Sequence, residues 1–536
     1  MIQSKYQTNI ISKFENTKNN IYKVQALAGT GKTTTAKLLL SQYSDETKWL
    51  VLVFNSDNKE EWRKWKNKTC PTSQGKIESY ASFVSNTYMK NQWNFKGTNP
   101  TIKHYKQLIP NESQQFIQNV KKIVERFATT LDLKINHQFI SNTLYYDLPY
   151  DVLEKYCMYA NKLWEAKCDH NQKDFSLDES GGMKLMYLQN KQFDYDVVIW
   201  DEAQDIPNIH FGVMKKYKND AIHILFGDDY QTINLWRLGM SAQFKNIQSV
   251  AHLPQTYRFG KRLANFANSL MKIMEDMDLI QNNIQMKGCK SKTTFIVPYN
   301  YFHNIYIHKH KEVLYLVRNN STIVYMLYHY GVIIQNTHFI DCKFTKTKSK
   351  GKEFLEGLRQ LIMLKTRNAF SSYPSIWWKY KTWGSVYDDY MNDLLTETQK
   401  EIMILVVGKL GNLNTYLKLQ EIIENNDKKK PKFEIYTVHA KKGYESNVVI
   451  LANDFLNIRP TSNKFEEYCV FNTAITRAKK VLYLHTDYEY IRWYQHCANK
   501  IGNAWYNHKK WKNEVMFVLH HKLPVELCYH IIKCLV

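Results

Sequence analysis

The sequence predicts an α/β protein built around parallel sheets, on three observations. Residues 21–40, IYKVQALAGTGKTTTAKLLL, run from an apolar stretch through a loop of small residues into a segment with helical periodicity. A second apolar stretch, Asp196-Val197-Val198-Ile199-Trp200, ends in paired carboxylates at Asp201 and Glu202. A third, Ala221 to Phe226, ends in Gly227-Asp228-Asp229-Tyr230-Gln231. Short continuous apolar runs closed by Gly and Asp are the pattern of strands buried on both faces, which parallel sheets require.

At 536 residues the chain exceeds what one core can hold, and three or four domains are expected. Hydrophobic residues at 44% and aromatics at 14% suffice to fill them, which excludes a disordered chain. Lys plus Arg number 73 against 50 Asp plus Glu, a formal charge of +23. Two sources fit that excess: a polyanionic partner, nucleic acid first, or the codon bias of an AT-rich genome, which also explains abundant Lys, Asn, Ile and Tyr beside 19 Gly and 11 Pro. No apolar stretch reaches the ~18–20 residues that span a bilayer, and the N-terminal MIQSKYQTNIISKFENTK lacks the apolar core of a signal peptide. A soluble intracellular protein with no membrane partner is expected; nucleus and cytoplasm both stay open, and a viral origin in an AT-rich genome fits the composition. The nine cysteines (Cys70, Cys157, Cys168, Cys289, Cys342, Cys469, Cys497, Cys528, Cys534) are odd in number and never spaced CxxC, so reduced thiols are expected rather than disulfides or zinc ligands.

The loop Ala26-Leu27-Ala28-Gly29-Thr30-Gly31-Lys32-Thr33 matches the phosphate-binding pattern, with Ala26 in place of its first glycine. Gly29 and Gly31 let the N–H groups of the loop, from Ala28 through Thr30 to Thr34, turn toward phosphates. Lys32 can reach the β- and γ-phosphates, and Thr33 offers a hydroxyl to Mg²⁺. ATP with Mg²⁺ is therefore the expected nucleotide. In the second run, Asp201 would hold the same Mg²⁺ and Glu202 would orient or deprotonate the attacking water.

At this point the chain resembles superfamily 1 helicases of the UvrD/Rep-like branch. Asp201-Glu202-Ala203-Gln204-Asp205 is similar to that family's motif II, and Gly227-Asp228-Asp229-Tyr230-Gln231-Thr232-Ile233-Asn234-Leu235-Trp236-Arg237 to its motif III. The resemblance implies that Gln231 senses the γ-phosphate, that Trp236 stacks on a DNA base, and that Arg237 stands beside it. Taken alone, Trp236 would read as a core residue. Stacking suits a motor because every base offers a π-face, at ~1–3 kcal/mol per base without sequence preference. The likeness continues in order. Gln7 resembles the adenine-reading glutamine ahead of the loop, and Val51-Leu52-Val53-Phe54-Asn55 the DNA-contacting motif Ia. In Leu253 to Gly260, motif IV, Tyr257 would stack on adenine and Arg258 would meet the γ-phosphate. In Thr437 to Glu445, motif V, Thr437 and His439 would face DNA and Glu445 the ribose. Ala474-Ile475-Thr476-Arg477-Ala478 resembles motif VI, with Arg477 as the arginine finger, so that hydrolysis would depend on closure between two motor domains.

Within the branch the likeness is closest to the F-box DNA helicases, through Tyr159-Ala160, Leu163-Trp164, Met183 to Leu188, Thr256 to Gly260 and Val317-Arg318-Asn319-Asn320. Three departures stand out. Glu78 occupies a position where relatives carry histidine, Asn472 replaces an aromatic before motif VI, and the interval between motifs IV and V is short. The tail Lys522 to Val536 has two readings. It resembles the opening of an F-box, implying a Skp-type ubiquitin-ligase adaptor as partner; it is also a plain amphipathic helix with Leu527, Ile531 and Leu535 on one face.

The resemblance implies two RecA-like P-loop domains with parallel sheets, each carrying an inserted, mostly helical subdomain. The first would take residues 1–83 and 184–252, with 84–183 inserted. The second would take 253–335 and 431–490, with a reduced insertion at 336–430, leaving 491–536 as the tail. Asp427-Lys428-Lys429-Lys430-Pro431-Lys432 reads as a linker or an import signal. The expected activity is ATP-driven 3′→5′ movement on single-stranded DNA and at duplex junctions, in repair, recombination or replication. An ATPase that strips protein from DNA without unwinding, and a ubiquitin-ligase adaptor that uses the motor to locate DNA, share the same motifs.

Overall fold

The computed structural model describes residues 5–14, 21–53, 56–89, 100, 102–144, 148–169, 171–172, 174–190, 194–216, 221–234, 247, 249–281, 284–337, 343–344, 350–367, 376–377, 380–392, 395–408, 410, 412–425, 433–456, 463–488 and 491. Phe54 and Asn55, Trp236 and Arg237, the Asp427 to Lys432 run and the tail from Arg492 lie outside them. The chain divides into two compact units, residues 1–256 and 257–536.

In the first unit, β1 (Ile21–Ala26), β2 (Trp49–Val53), β3 (Lys76–Ser79), β4 (Val197–Asp201), β5 (Ile222–Gly227) and β6 (Ser249–Leu253) form a sheet in the order β3-β2-β4-β5-β1-β6. Every pairing is parallel. The apolar runs WLVLV and VVIWD make β2 and β4 buried along their whole length, as strands covered on both faces must be. One face packs against α1 (Lys5–Phe14), α2 (Lys32–Leu40) and α3 (Ser56–Thr69) through Ile10, Leu39, Leu40 and Trp62. The other packs against α4 (Tyr80–Met89), α9 (Glu179–Gln189) and α10 (Asn208–Lys216) through Tyr80, Phe83, Met183, Met186 and Phe211. Each such side chain withdrawn from water contributes ~1.5–3 kcal/mol.

Between α4 and α9 the chain forms α5 (Ile102–Leu108), α6 (Gln114–Thr129), α7 (His137–Leu144) and α8 (Tyr150–Cys168), with a core of their own. The α6 helix starts at Ser113, whose side chain accepts from Phe116 N, and buries Phe116, Val120, Ile123, Val124 and Phe127, the spacing of one helical face. Lys184 of α9 fastens this layer to the sheet. Its fully buried ammonium donates to the Thr130 and Asp132 carbonyls and lies 3.9 Å from the Phe127 ring centroid. Burial pulls that ammonium down to about 7.

In the second unit, β7 (Phe295–Tyr299), β8 (Val313–Val317), β9 (Lys343–Phe344), β10 (Phe433–Thr437), β11 (Ser446–Leu451) and β12 (Ala478–His485) form another parallel sheet, in the order β7-β12-β11-β8-β10-β9. Helices α11 (Lys261–Asp276), α12 (Asn320–Met326) and α17 (Lys464–Ile475) accompany it. Four more, α13 (Lys350–Arg367), α14 (Trp383–Met391), α15 (Glu397–Gly408) and α16 (Leu413–Asn425), fall between β9 and β10. Half-buried Asp454 accepts from Arg318 N, Asn319 N and Thr322 Oγ1, and Arg318 forms a two-pronged ion pair with Glu467 at 2.7 and 2.9 Å. Among the described residues no helix is long and apolar enough to cross a membrane.

Candidate active site

Strand β1 delivers the chain to the loop, and α2 carries it away. At the turn Gly29 and Gly31 take φ of +68° and +84°, left-handed values that cost a side-chain-bearing residue energy. Thr30 Oγ1 closes the loop onto Leu27 O at 2.7 Å, and Leu27 N binds Leu253 O of β6. Gly31 caps α2 without a side-chain hydrogen bond, so the positive end of the helix faces the loop. Lys32 Nζ donates to Ala26 O at 3.3 Å, and Thr33 Oγ1 donates to Asp201 Oδ2 at 3.4 Å. Gln7, 5% exposed, reaches across from α1 to bind Thr35 Oγ1 at 3.1 Å.

Asp201 ends β4, two strands from β1 in the sheet. Its Oδ1 accepts from Glu202 N at 3.1 Å, and its Oδ2 accepts from Thr33 and from Trp62 Nε1 at 3.2 Å. Burial, then the neighbouring Glu202, push its carboxyl up to about 6, against the opposing pull of Trp62 and Lys32. Glu202 has φ +55°, ψ +45°, a strained conformation of the sort that concentrates at functional sites. Gln204, fully buried, donates to Glu202 Oε2 at 2.7 Å and accepts Asp228 N at 3.1 Å. Gln231 Nε2 donates to Asp228 Oδ2 at 2.6 Å. Burial likewise pushes Asp228 up to about 6, with Lys32 opposing it. Motifs II and III are thus one hydrogen-bonded layer, Glu202 to Gln204 to Asp228 to Gln231. Behind it Lys23 of β1, buried in a strand otherwise apolar on its other face, pairs with Asp229 at 3.0 Å.

A hydroxyl donates its proton and offers a lone pair at the same time, so Thr33 and Asp201 in contact suit one divalent cation. The left-handed glycines, the uncapped helix and Lys32 suit the phosphates that would complete its shell. The residues present therefore fit Mg²⁺-nucleotide. Among the described residues no group of three or more His, Cys, Asp or Glu forms a separate metal cluster.

The second unit gathers motifs IV, V and VI into a second cluster. Arg258 Nε pairs with Glu445 Oε2 at 2.5 Å, and its Nη1 donates to Thr476 O at 2.8 Å. Arg477, 3% exposed, donates to Thr473 O and Tyr444 O. Burial would raise the Glu445 carboxyl, but Lys479 at 2.6 Å and Arg258 outweigh it and hold the group below its ordinary value. Tyr257 is 42% exposed. Thr437 ends β10 and caps the short turn His439–Lys441 through Ala440 N, which leaves His439 half-buried.

Sequence reasoning missed Trp62, Gln204, Asp228 and Lys23. Gln204 and Asp228 lie inside motifs II and III, and only their pairing was hidden. Glu78, the departure from the family pattern, is held by Lys59 at 2.6 Å and Asn86 at 2.8 Å. Asn472 is buried in α17 and accepts Thr476 Oγ1 on its backbone carbonyl.

The UvrD-like helicase C-terminal domain model matches residues 41–488. The loop at 26–34 precedes that match, so its assignment stands on its own geometry. No curated protein matches the chain. Members of this family act on DNA and use ATP with Mg²⁺. That family match, over most of the length of the chain, shows that it belongs to the UvrD-like helicase family.

Proposed function

We propose that the chain is an ATP-driven helicase or translocase that moves 3′→5′ on single-stranded DNA. The observation that carries this reading is the joining of Lys32, Thr33, Asp201 and Glu202 beyond the C-terminal ends of β1 and β4, with Glu202 tied through Gln204 and Asp228 to Gln231. Thr33 and Asp201 would hold Mg²⁺, which neutralises phosphate charge when bound. Lys32 steadies the β- and γ-phosphates, Gln204 keeps the Glu202 carboxylate aimed at water, and Gln231 reports the γ-phosphate. Gln7, Tyr257 and Glu445 serve the base and ribose, and Arg258 and Arg477 serve the developing charge. Phe54, Asn55, Trp236, Arg237, Thr437 and His439 contact DNA by stacking and phosphate binding, without a sequence code.

The strand order supports the RecA-like reading of the first unit, because one strand separates the loop strand from the carboxylate strand. Helices α5–α8 and α13–α16 are the proposed insertions. The test is ATP hydrolysis with and without single-stranded DNA, followed by unwinding of partial duplexes bearing 3′ or 5′ tails. DNA-stimulated hydrolysis with unwinding from the 3′ tail is expected. Hydrolysis indifferent to DNA would sink the proposal, and unwinding from the 5′ tail would sink its polarity.

A further inference from the structure

Asp201 is held on both carboxylate oxygens, and one of the holding groups belongs to neither nucleotide motif. Trp62 sits in the second turn of α3, fully buried, and its indole N–H donates to Asp201 Oδ2 at 3.2 Å across 139 positions of chain. Two contacts fix that ring, and an ion pair holds one of them in place. Trp65 meets it edge-on at 5.6 Å, the Lys37 ammonium of α2 lies 5.2 Å from its centroid, and Lys37 also pairs with the adjacent Glu61 at 2.6 Å. The indole cannot turn away without dislodging the α2–α3 contact. Tyr80 adds a weaker tether, from its hydroxyl to the Asp201 carbonyl at 3.4 Å.

Building on the proposed ATP site, we infer that Trp62 is a positioning residue for the divalent cation, presetting the rotamer of Asp201. Its chemistry suits the task. An indole N–H donates and never accepts, so it can orient a carboxylate without competing for the cation or exchanging a proton. It takes one lone pair of Oδ2 and Thr33 the other, which leaves Oδ1, beyond its bond to Glu202 N, for a metal-bound water. Without it, Oδ2 keeps only Thr33, whose hydroxyl must serve the cation as well, and the carboxylate gains freedom that cation binding must then remove. Partners of this kind behind a metal-holding group typically contribute 10–100-fold in metal affinity.

The test compares ADP binding to the full chain by calorimetry, in Mg²⁺ and in excess chelator, for the natural protein, Trp62→Phe and Lys32→Ala. Phenylalanine keeps an aromatic ring against Trp65 and Lys37 but has no donor. In Trp62→Phe, the factor by which Mg²⁺ tightens ADP binding should fall about 10-fold, while metal-free affinity stays within about twofold. If Trp62→Phe does not fold, benzothienylalanine at position 62 keeps the indole outline with sulfur in place of the N–H, and the same result is expected. Equal losses with and without Mg²⁺ would make Trp62 a packing residue only and overturn the inference, as would an unchanged Mg²⁺ factor. If Mg²⁺ tightening occurs in the natural protein, is lost in Lys32→Ala and persists in Trp62→Phe, the inference fails and the ATP site stands. If the natural protein shows no Mg²⁺-dependent binding, both fall.

Discussion

Replacing Gln204 with leucine should separate the hydrolytic role of the motif II and III layer from its structural one. The substitution keeps volume in a fully buried position but removes two hydrogen bonds, to Glu202 Oε2 at 2.7 Å and from Asp228 N at 3.1 Å. The Asp228 N–H is left buried without its acceptor, at ~1–3 kcal/mol. Glu202 is only half-buried, so water takes over much of its lost bond, and a total of about 2 kcal/mol is expected. For a unit of this size that lowers the melting temperature by roughly 4–8 °C. Turnover should fall further than stability implies, by about 100-fold, because the Glu202 carboxylate is no longer aimed. Nucleotide affinity should change little, since the bonds removed run to Glu202 and Asp228 rather than to the loop. Steady-state ATPase, ADP calorimetry and thermal melting measure the three quantities. Gln204→Glu supplies a sharper contrast. It keeps an acceptor for Asp228 N but sets a second carboxylate against Glu202, so one proton is shared and the pH–rate profile should move to higher pH. Unchanged turnover in Gln204→Leu alongside the drop in melting temperature would refute the reasoning and leave the layer as scaffolding.

Lys32→Ala should abolish nucleotide-dependent activity, whereas Glu202→Gln should bind ATP normally and fail to turn over, as read by nucleotide binding and phosphate release. The folded state binds the Lys184 proton less tightly than the unfolded chain, about 7 against 10.5. Stability should therefore rise as pH climbs from about 7 toward 10.5, and the penalty is complete below 7. Urea midpoints across that range should show the slope in the natural protein and lose it in Lys184→Met. Arg318→Ala strands the partly buried Glu467 and should cost ~1–3 kcal/mol in chemical denaturation. Arg318→Lys should recover only part, because lysine lacks the planar fork that meets both oxygens.

How far these contacts could be read from sequence depended on their range. The run from β1 through the glycine loop to α2 is local chemistry, and apolar stretch, small residues and helical period all lie within twenty consecutive positions. The strand ahead of Asp201 was legible for the same reason, since VVIW is apolar on both faces. Trp62 was not. Its neighbours, Glu60, Glu61, Arg63 and Lys64, mark a solvated helix, and nothing local reveals that its N–H ends at a carboxylate in β4. Lys23 was hidden likewise, a charge in an apolar run whose partner Asp229 lies 206 positions later. The two residues of β9 are too few to display a period-two pattern.

The order β4-β5-β1-β6 also dictates when the nucleotide loop can take shape on the ribosome. Ile21 faces His223 and Ala26 faces Leu253, so both neighbours of β1 are among the last parts of the first unit to be synthesised. The helices α5–α8, whose contacts are local, can form while β1 waits unpaired in the nascent chain, since distant pairings are slow to close. A chain halted before Leu253 would leave one flank of the loop strand open. Ribosome-tethered intermediates should become protected from protease around residues 102–168 well before they gain any capacity to retain nucleotide.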